Sequence, residues 1–165
     1  MMLYEEILKD FQKEKVRYIL VGGIAVNLLG FPRTTADLDI LVEMKDENIA
    51  KIVKILKKRG YCVKQPVDPM LIADRKTRED WIKNKFLKAF NFYKYDELKE
   101  VDIILESPVP YSEAKKNSIN IKDRDLVLPV ISLRDLIRMK KAAGRDQDKM
   151  DISVLERIRK IRNRK

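Results

Sequence analysis

Histidine is absent from the 165 residues and cysteine occurs once. The first absence removes serine triads, histidine general bases and most transition-metal sites. The second excludes an internal disulfide and a cysteine metal cluster, and leaves Cys62, in GYCVK, as a small apolar residue. No apolar run approaches the roughly 18 residues of a membrane helix. The opening MMLYEEILKDFQKEK is a charged amphipathic helix rather than a signal peptide, so the expected location is the cytoplasm. Glutamine occurs only three times beside abundant Lys, Glu and Ile, a composition that bears on heat stability rather than function. Any catalysis must therefore run on carboxylates, lysines and arginines, and a metal held by them would be a hard, oxygen-preferring ion, Mg²⁺ or Mn²⁺.

What is present is charge, unevenly spread. The formal net charge is +10, but RIRKIRNRK at 157–165 holds six cations and no anion, so residues 1–156 carry only +4. Such a tail is either a solvated helix end or a surface for phosphates.

Apolar periods predict helices over 3–14, 24–30 and 46–59, the last ending at Gly60, and strands over 17–21 and 38–43. A short strand follows at YCVK. Residues 77–85 give no clear period. FLKAFNFY and EVDIILE read as an antiparallel pair, residues 118–131 as extended segments, and 133–143 and 147–163 as helices joined at Gly144. The expected fold is α/β (α+β): a mixed central sheet flanked by helices, with a core over residues 1–130 and a C-terminal helical hairpin over 131–165 packed on it.

Within ILVGGIAVNLLGFPRTTADLDILVE, Asp37 and Asp39 share one face of a strand, about 7 Å apart along the backbone, while Leu38, Ile40 and Val42 take the other. Like charges so placed raise each other's cost of ionisation unless a cation or a wet edge relieves it. Gly22 and Gly23 close the preceding strand and open a helix, an arrangement in which backbone N–H groups receive phosphate, or else simply a tight turn. Asp102 interrupts the apolar strand EVDIILE. It completes a three-carboxylate site if this strand lies beside the DLD strand, and otherwise faces solvent.

Together, Val21-Gly22-Gly23, thirteen residues, Asp37-Leu38-Asp39-Ile40 and the later Asp102 resemble the DNA polymerase beta-like nucleotidyltransferase superfamily. RTTADLD and MKKAAGRDQDKMD look most like its minimal and abortive-infection type members from toxin–antitoxin systems; the lincosamide and aminoglycoside nucleotidyltransferases share a similar pattern. The resemblance implies binding of a nucleoside triphosphate such as ATP with two Mg²⁺ and transfer of its nucleotidyl group to a hydroxyl. It implies metal ligation by Asp37, Asp39 and Asp102, deprotonation assisted by Asp102, and a triphosphate cradled by Gly22 and Gly23. Arg33 either neutralises that triphosphate or is a loop cation beside Pro32. Residues 61–99 match no motif. The alternatives are a non-enzymatic antitoxin-like or nucleotide-sensing module and a small-molecule (antibiotic) nucleotidyltransferase.

Helical periodicity adds an independent pointer. Lys140 falls at the centre of the apolar stripe Leu133, Leu136, Ile137, Ala143, and Asp151, with Asp148 at its margin, falls on the buried face of the last helix. Either Lys140 and Asp151 lock the helices together, or Lys140 reaches the triphosphate while the aspartates position it and Arg145. The acceptor expected from charge is RNA, held by the basic tail and by Lys76, Arg78, Lys83, Lys85 and Lys88 interleaved with Trp81 and Phe86. A cognate antitoxin or toxin protein is the other partner the resemblance implies, and no membrane is.

Overall fold

Every turn of the chain that the apolar pattern marks is present in the computed structural model, which describes residues 3–164. Helix α1 (Glu5–Lys13) carries Glu5 and Glu6 at its start and Lys13 at its end, as the helix dipole favours, and buries Ile7, Leu8 and Phe11. Strand β1 (Tyr18–Leu20) is buried throughout and passes through Val21 directly into α2 (Gly22–Leu28). After a loop come β2 (Asp37–Val42) and α3 (Asp46–Lys58), which ends where Gly60 takes a φ of +82°. Then follow β3 (Cys62–Val63), a 3₁₀ turn (Pro69–Ala73) and α4 (Arg75–Asn84), whose first turn is capped by Asp74 accepting from the Thr77 N–H. Strands β4 (Ala89–Lys94) and β5 (Lys99–Ile104), helix α5 (Tyr111–Asn117) and strands β6 (Ile119–Asp123) and β7 (Leu126–Val130) complete the sheet region. Helix α6 (Leu133–Ala143) begins at the Ser132 cap and stops at Gly144, with φ +67°, before α7 (Asp146–Arg162).

The seven strands form one mixed sheet in the order β3-β4-β5-β2-β1-β7-β6. Strand β2 lies near its middle, parallel to β5 and antiparallel to β1, and β1 is parallel to β7. Leu38, Ile40 and Val42 of β2 are fully buried, so the alternation of the strand sends its aspartates to the opposite face. Tyr4, itself buried, fixes the start of both central strands. Its hydroxyl donates to the Ala36 carbonyl and accepts the Glu100 N–H at 3.1 Å.

Two α-helices lie outside the sequence pattern: the short α5, and α4 where no period is visible. Helix α4 buries only Arg78 and Trp81. Among the described residues no helix is long and apolar enough to cross a membrane.

Candidate active site

The glycine pair is dictated by crowding. Gly22 has a φ of +62°, and a Cβ there would sit 1.8 Å from Asp39 Oδ2. A Cβ on Gly23 would meet Thr35 Oγ1 at 2.4 Å and Arg33 Nη2 at 2.8 Å. No side chain fits at either position without displacing its neighbours, so the Asp39 carboxylate lies against bare backbone at the start of α2, where the Gly23 N–H favours its charge.

The parallel β2–β5 register sets Asp39 beside Asp102 and Asp37 beside Glu100, and the antiparallel β4–β5 register sets Asn91 beside Asp102. One sheet face thus carries four carboxylates. Burial, followed by the charges of Asp102 and Asp37, pushes the Asp39 carboxyl up to about 6, against the pull of Arg145 and the Gly23 N–H. Burial also raises Asp102, opposed by its hydrogen bond from Asn91 and reinforced by Asp37 and Glu100. This is a concentration of like charge only partly offset by Arg145, Asn91 and Lys64, and its oxygen donors suit a hard cation. Among the described residues no three acidic side chains converge closely enough to enclose a metal unaided. Asp39 and Asp102, in register, are the pair of oxygen donors that Mg²⁺, commonly held by one or two carboxylates, would use.

The closing helices meet at a buried knot of charge. Lys140 Nζ lies 2.7 Å from Asp151 Oδ2 and 3.1 Å from Asp148 Oδ1, and all three residues are at most 4 % exposed. Arg145 Nε reaches Asp148 Oδ2 at 2.8 Å, and the Arg145 backbone N–H caps α7 on the same oxygen at 3.2 Å. Burial works against the Asp148 charge, yet Arg145 and Lys140 hold its carboxyl below the usual range. Arg33 Nε stands 3.2 Å from Asp151 Oδ1, tying the loop before β2 to α7 by charge rather than by a well-angled hydrogen bond. Three cations thus share two carboxylates. Lys140 therefore locks the two helices together, and it also lines the space described next.

An open cleft of ≈ 520 Å³ lies between Gly22 and Asp39 on one side, the end of β5 with residues 106–108 on another, and the α6–α7 corner on the third. Its volume is in the range of small-molecule and cofactor sites. Asp39, Lys140, Arg145 and Asp148 make a polar end, while Ile104, Pro108, Leu136, Met139 and Ala143 make an apolar wall. Asp37, Asp102 and Arg33 do not line it; the first two extend the site along the sheet face, and Arg33 sits behind the glycine turn.

The basic surface foreseen in residues 76–88 is only partly there. Arg78 is 3 % exposed, and its guanidinium donates to the carbonyls of Ile72, Ala73 and Met44 and to Asp46, so it is a structural cation. Trp81 stacks on Phe90 in the core at a centroid distance of 5.6 Å, whereas Phe86 is 80 % exposed. Cys62, expected to pack, is exposed on its short strand. In the tail, Arg157, Arg159, Lys160 and Arg164 are exposed, Ile161 points outward, and Arg162 Nη2 donates to the Leu29 carbonyl at 2.9 Å. Sequence reasoning also missed Met139 and residues 106–108 of the cleft, and it missed Asn91. The last had a signal, a lone amide between the buried Phe90 and Phe92.

A family model described as a nucleotidyltransferase of unknown function (DUF6036) matches residues 1–161. No curated protein sequence matches the chain. Among solved structures, the chain is similar to the lincosamide antibiotic adenylyltransferase LnuA bound to lincomycin, at 20% identity and a TM-score of 0.64, over 94% of this chain and 96% of that one. It is also similar to ANT(2")-Ia in complex with adenylyl-2"-tobramycin, at 14% identity and a TM-score of 0.58, over 98% and 93%. At these identities the likeness is one of fold.

Proposed function

The chain belongs to the DUF6036 family of nucleotidyltransferases, and from that premise we propose that it transfers a nucleoside monophosphate from a nucleoside triphosphate to a hydroxyl acceptor at the Asp39 cleft. The observation that carries this reading is the register of Asp39 with Asp102 beside a glycine turn that admits no side chain.

In this reading the triphosphate occupies the polar end of the cleft, its base against Met139 and Leu136. Lys140 and Arg145 offset the charge of the departing pyrophosphate, while Gly22 and Gly23 let Asp39 and the Arg33 loop pack against the turn that borders it. Asp37, Asp39 and Asp102 would hold the divalent cations, Mg²⁺ or Mn²⁺, which when bound offset the triphosphate charge and make the attacking oxygen more nucleophilic. The acceptor oxygen bonds to the α-phosphorus, the bond from that phosphorus to the α–β bridging oxygen breaks, and pyrophosphate leaves with the electron pair. The hydroxyl proton passes to Asp102, whose raised pKa makes it a better acceptor than an ordinary aspartate.

One observation favours a polymeric acceptor, RNA. The exposed cations Arg157, Arg159 and Lys160 lie 12 to 15 residues beyond Arg145 at the cleft edge, about 18–22 Å at 1.5 Å per residue. A ligand touching both ends must be that long. The test is to incubate the protein with each α-labelled triphosphate, Mg²⁺, and separate pools of total RNA, protein and small molecules. Label should move to one pool, and Asp39→Asn should abolish the transfer. Label in the small-molecule pool would replace the RNA reading with an adenylyltransferase-like one, and no transfer together with no nucleotide-dependent metal binding would refute the activity.

A further inference from the structure

We propose that Asn91 is a positioning residue for the transfer reaction, holding the Asp102 and Glu100 carboxylates from the neighbouring strand so that one oxygen of Asp102 always faces the acceptor. The proposal rests on the nucleotidyl-transfer reading above.

Asn91 lies directly opposite Asp102 in the antiparallel β4–β5 register, on the face that carries the four carboxylates. Its Nδ2 donates to Asp102 Oδ1 at 2.7 Å and to Glu100 Oε2 at 2.9 Å, so both amide protons are committed. The amide cannot be turned round, because its oxygen would then face two carboxylates. In the orientation adopted, Asn91 Oδ1 is buried and accepts no hydrogen bond.

Phe90 and Phe92 on either side point to the buried face, so Asn91 shares the carboxylate face, where an apolar residue would leave both acids without this donor. The unpaired oxygen is the cost of keeping a two-proton donor between two acids. Glu100 is held a second time, with its Oε1 3.4 Å from Lys64 Nζ. Asp102 has Asn91 alone: among the described residues its Oδ2 receives no hydrogen bond. One oxygen is anchored to the sheet and the other is free to meet a cation or take a proton. Outer partners of this kind fix the orientation of metal-binding carboxylates.

The test uses the full chain with Mn²⁺ and a non-hydrolysable ATP analogue, read by calorimetry, beside steady-state transfer to whichever pool accepts label. Asn91→Leu keeps the volume and removes both donors. Mn²⁺ affinity in the presence of the analogue should fall 10- to 100-fold, and kcat by a similar factor, with KM for the triphosphate within about twofold. In an Asp102→Asn background the same change should add no further loss. If Asn91→Leu fails to fold, Asn91→Thr, which offers one donor to the two acids, should give an intermediate loss. Undiminished Mn²⁺ affinity and kcat in the folded variant, while Asp39→Asn abolishes both, would overturn the role of Asn91 and leave the transfer reading standing. Undiminished binding in Asp39→Asn would overturn the reading beneath it.

Discussion

Replacing Asp39 with asparagine should make the ligand-free protein more stable at neutral pH while removing its function. The carboxyl titrates at about 6 in the folded chain against an ordinary value of 3.8. The folded state therefore binds this proton more tightly than the unfolded state does. The associated stability is complete below the unfolded value and is lost as pH rises through 6, which amounts to about 3 kcal/mol at pH 7.5. Asparagine has nearly the same shape and no charge to bury, so Asp39→Asn should recover most of that loss. At pH 4.5, where the folded wild type already holds the proton, the gain should shrink to about 1 kcal/mol. Urea melts in chelator at the two pH values measure both numbers, and for a chain of this size the neutral-pH gain corresponds to a Tm increase of about 4–10 °C. Mg²⁺ with a triphosphate analogue should then raise the wild-type Tm and leave the variant where it was. A variant less stable than wild type at pH 7.5, or equally stabilised at both pH values, would refute the idea that burying the Asp39 charge beside Asp102 and Asp37 costs the fold stability.

Lys140→Met strands the buried Asp148 and Asp151 carboxylates and should cost about 3–5 kcal/mol in urea melts, most of it restored by adding Asp148→Asn and Asp151→Asn. Gly22→Ala forces a Cβ into Asp39 at a positive φ; calorimetry should find nucleotide-dependent Mn²⁺ binding abolished and the fold weakened by about 2 kcal/mol. Arg157→Glu with Lys160→Glu alters only exposed positions, so the Tm should hold, while the slope of log affinity for RNA against log salt should flatten by about one for each phosphate that the tail no longer neutralises. An unchanged slope would detach the tail from the acceptor.

How much of this was legible in the sequence depended on whether the cause was local. Helix α6 has the limits its apolar period predicts, 133–143, and Gly60 and Gly144 end their helices in the left-handed conformation. The sequence left open whether the DLD strand and the Asp102 strand are neighbours, and the fold sets them side by side in parallel register. What was illegible depends on distant partners. Arg78 reads as a surface cation until the Met44 carbonyl, 34 residues away, is brought against it. Helix α4 has no apolar stripe because its buried face is that arginine and one tryptophan. Lys140 could be placed inward by period alone, but only the fold shows that one ammonium serves both α7 aspartates.

The hydroxyl of Tyr4 joins the backbone leading into β2 to the backbone of β5, so the spacing of the two acid-bearing strands is set partly by the fourth residue of the chain. A bench decision follows. An affinity tag fused ahead of Met1 adds chain three residues from a phenol that joins the two acid-bearing strands, so its effect on their spacing must be controlled. Tyr4→Phe, which removes one oxygen and about 1 kcal/mol, is the control that tells an experimenter how much an N-terminal fusion has cost.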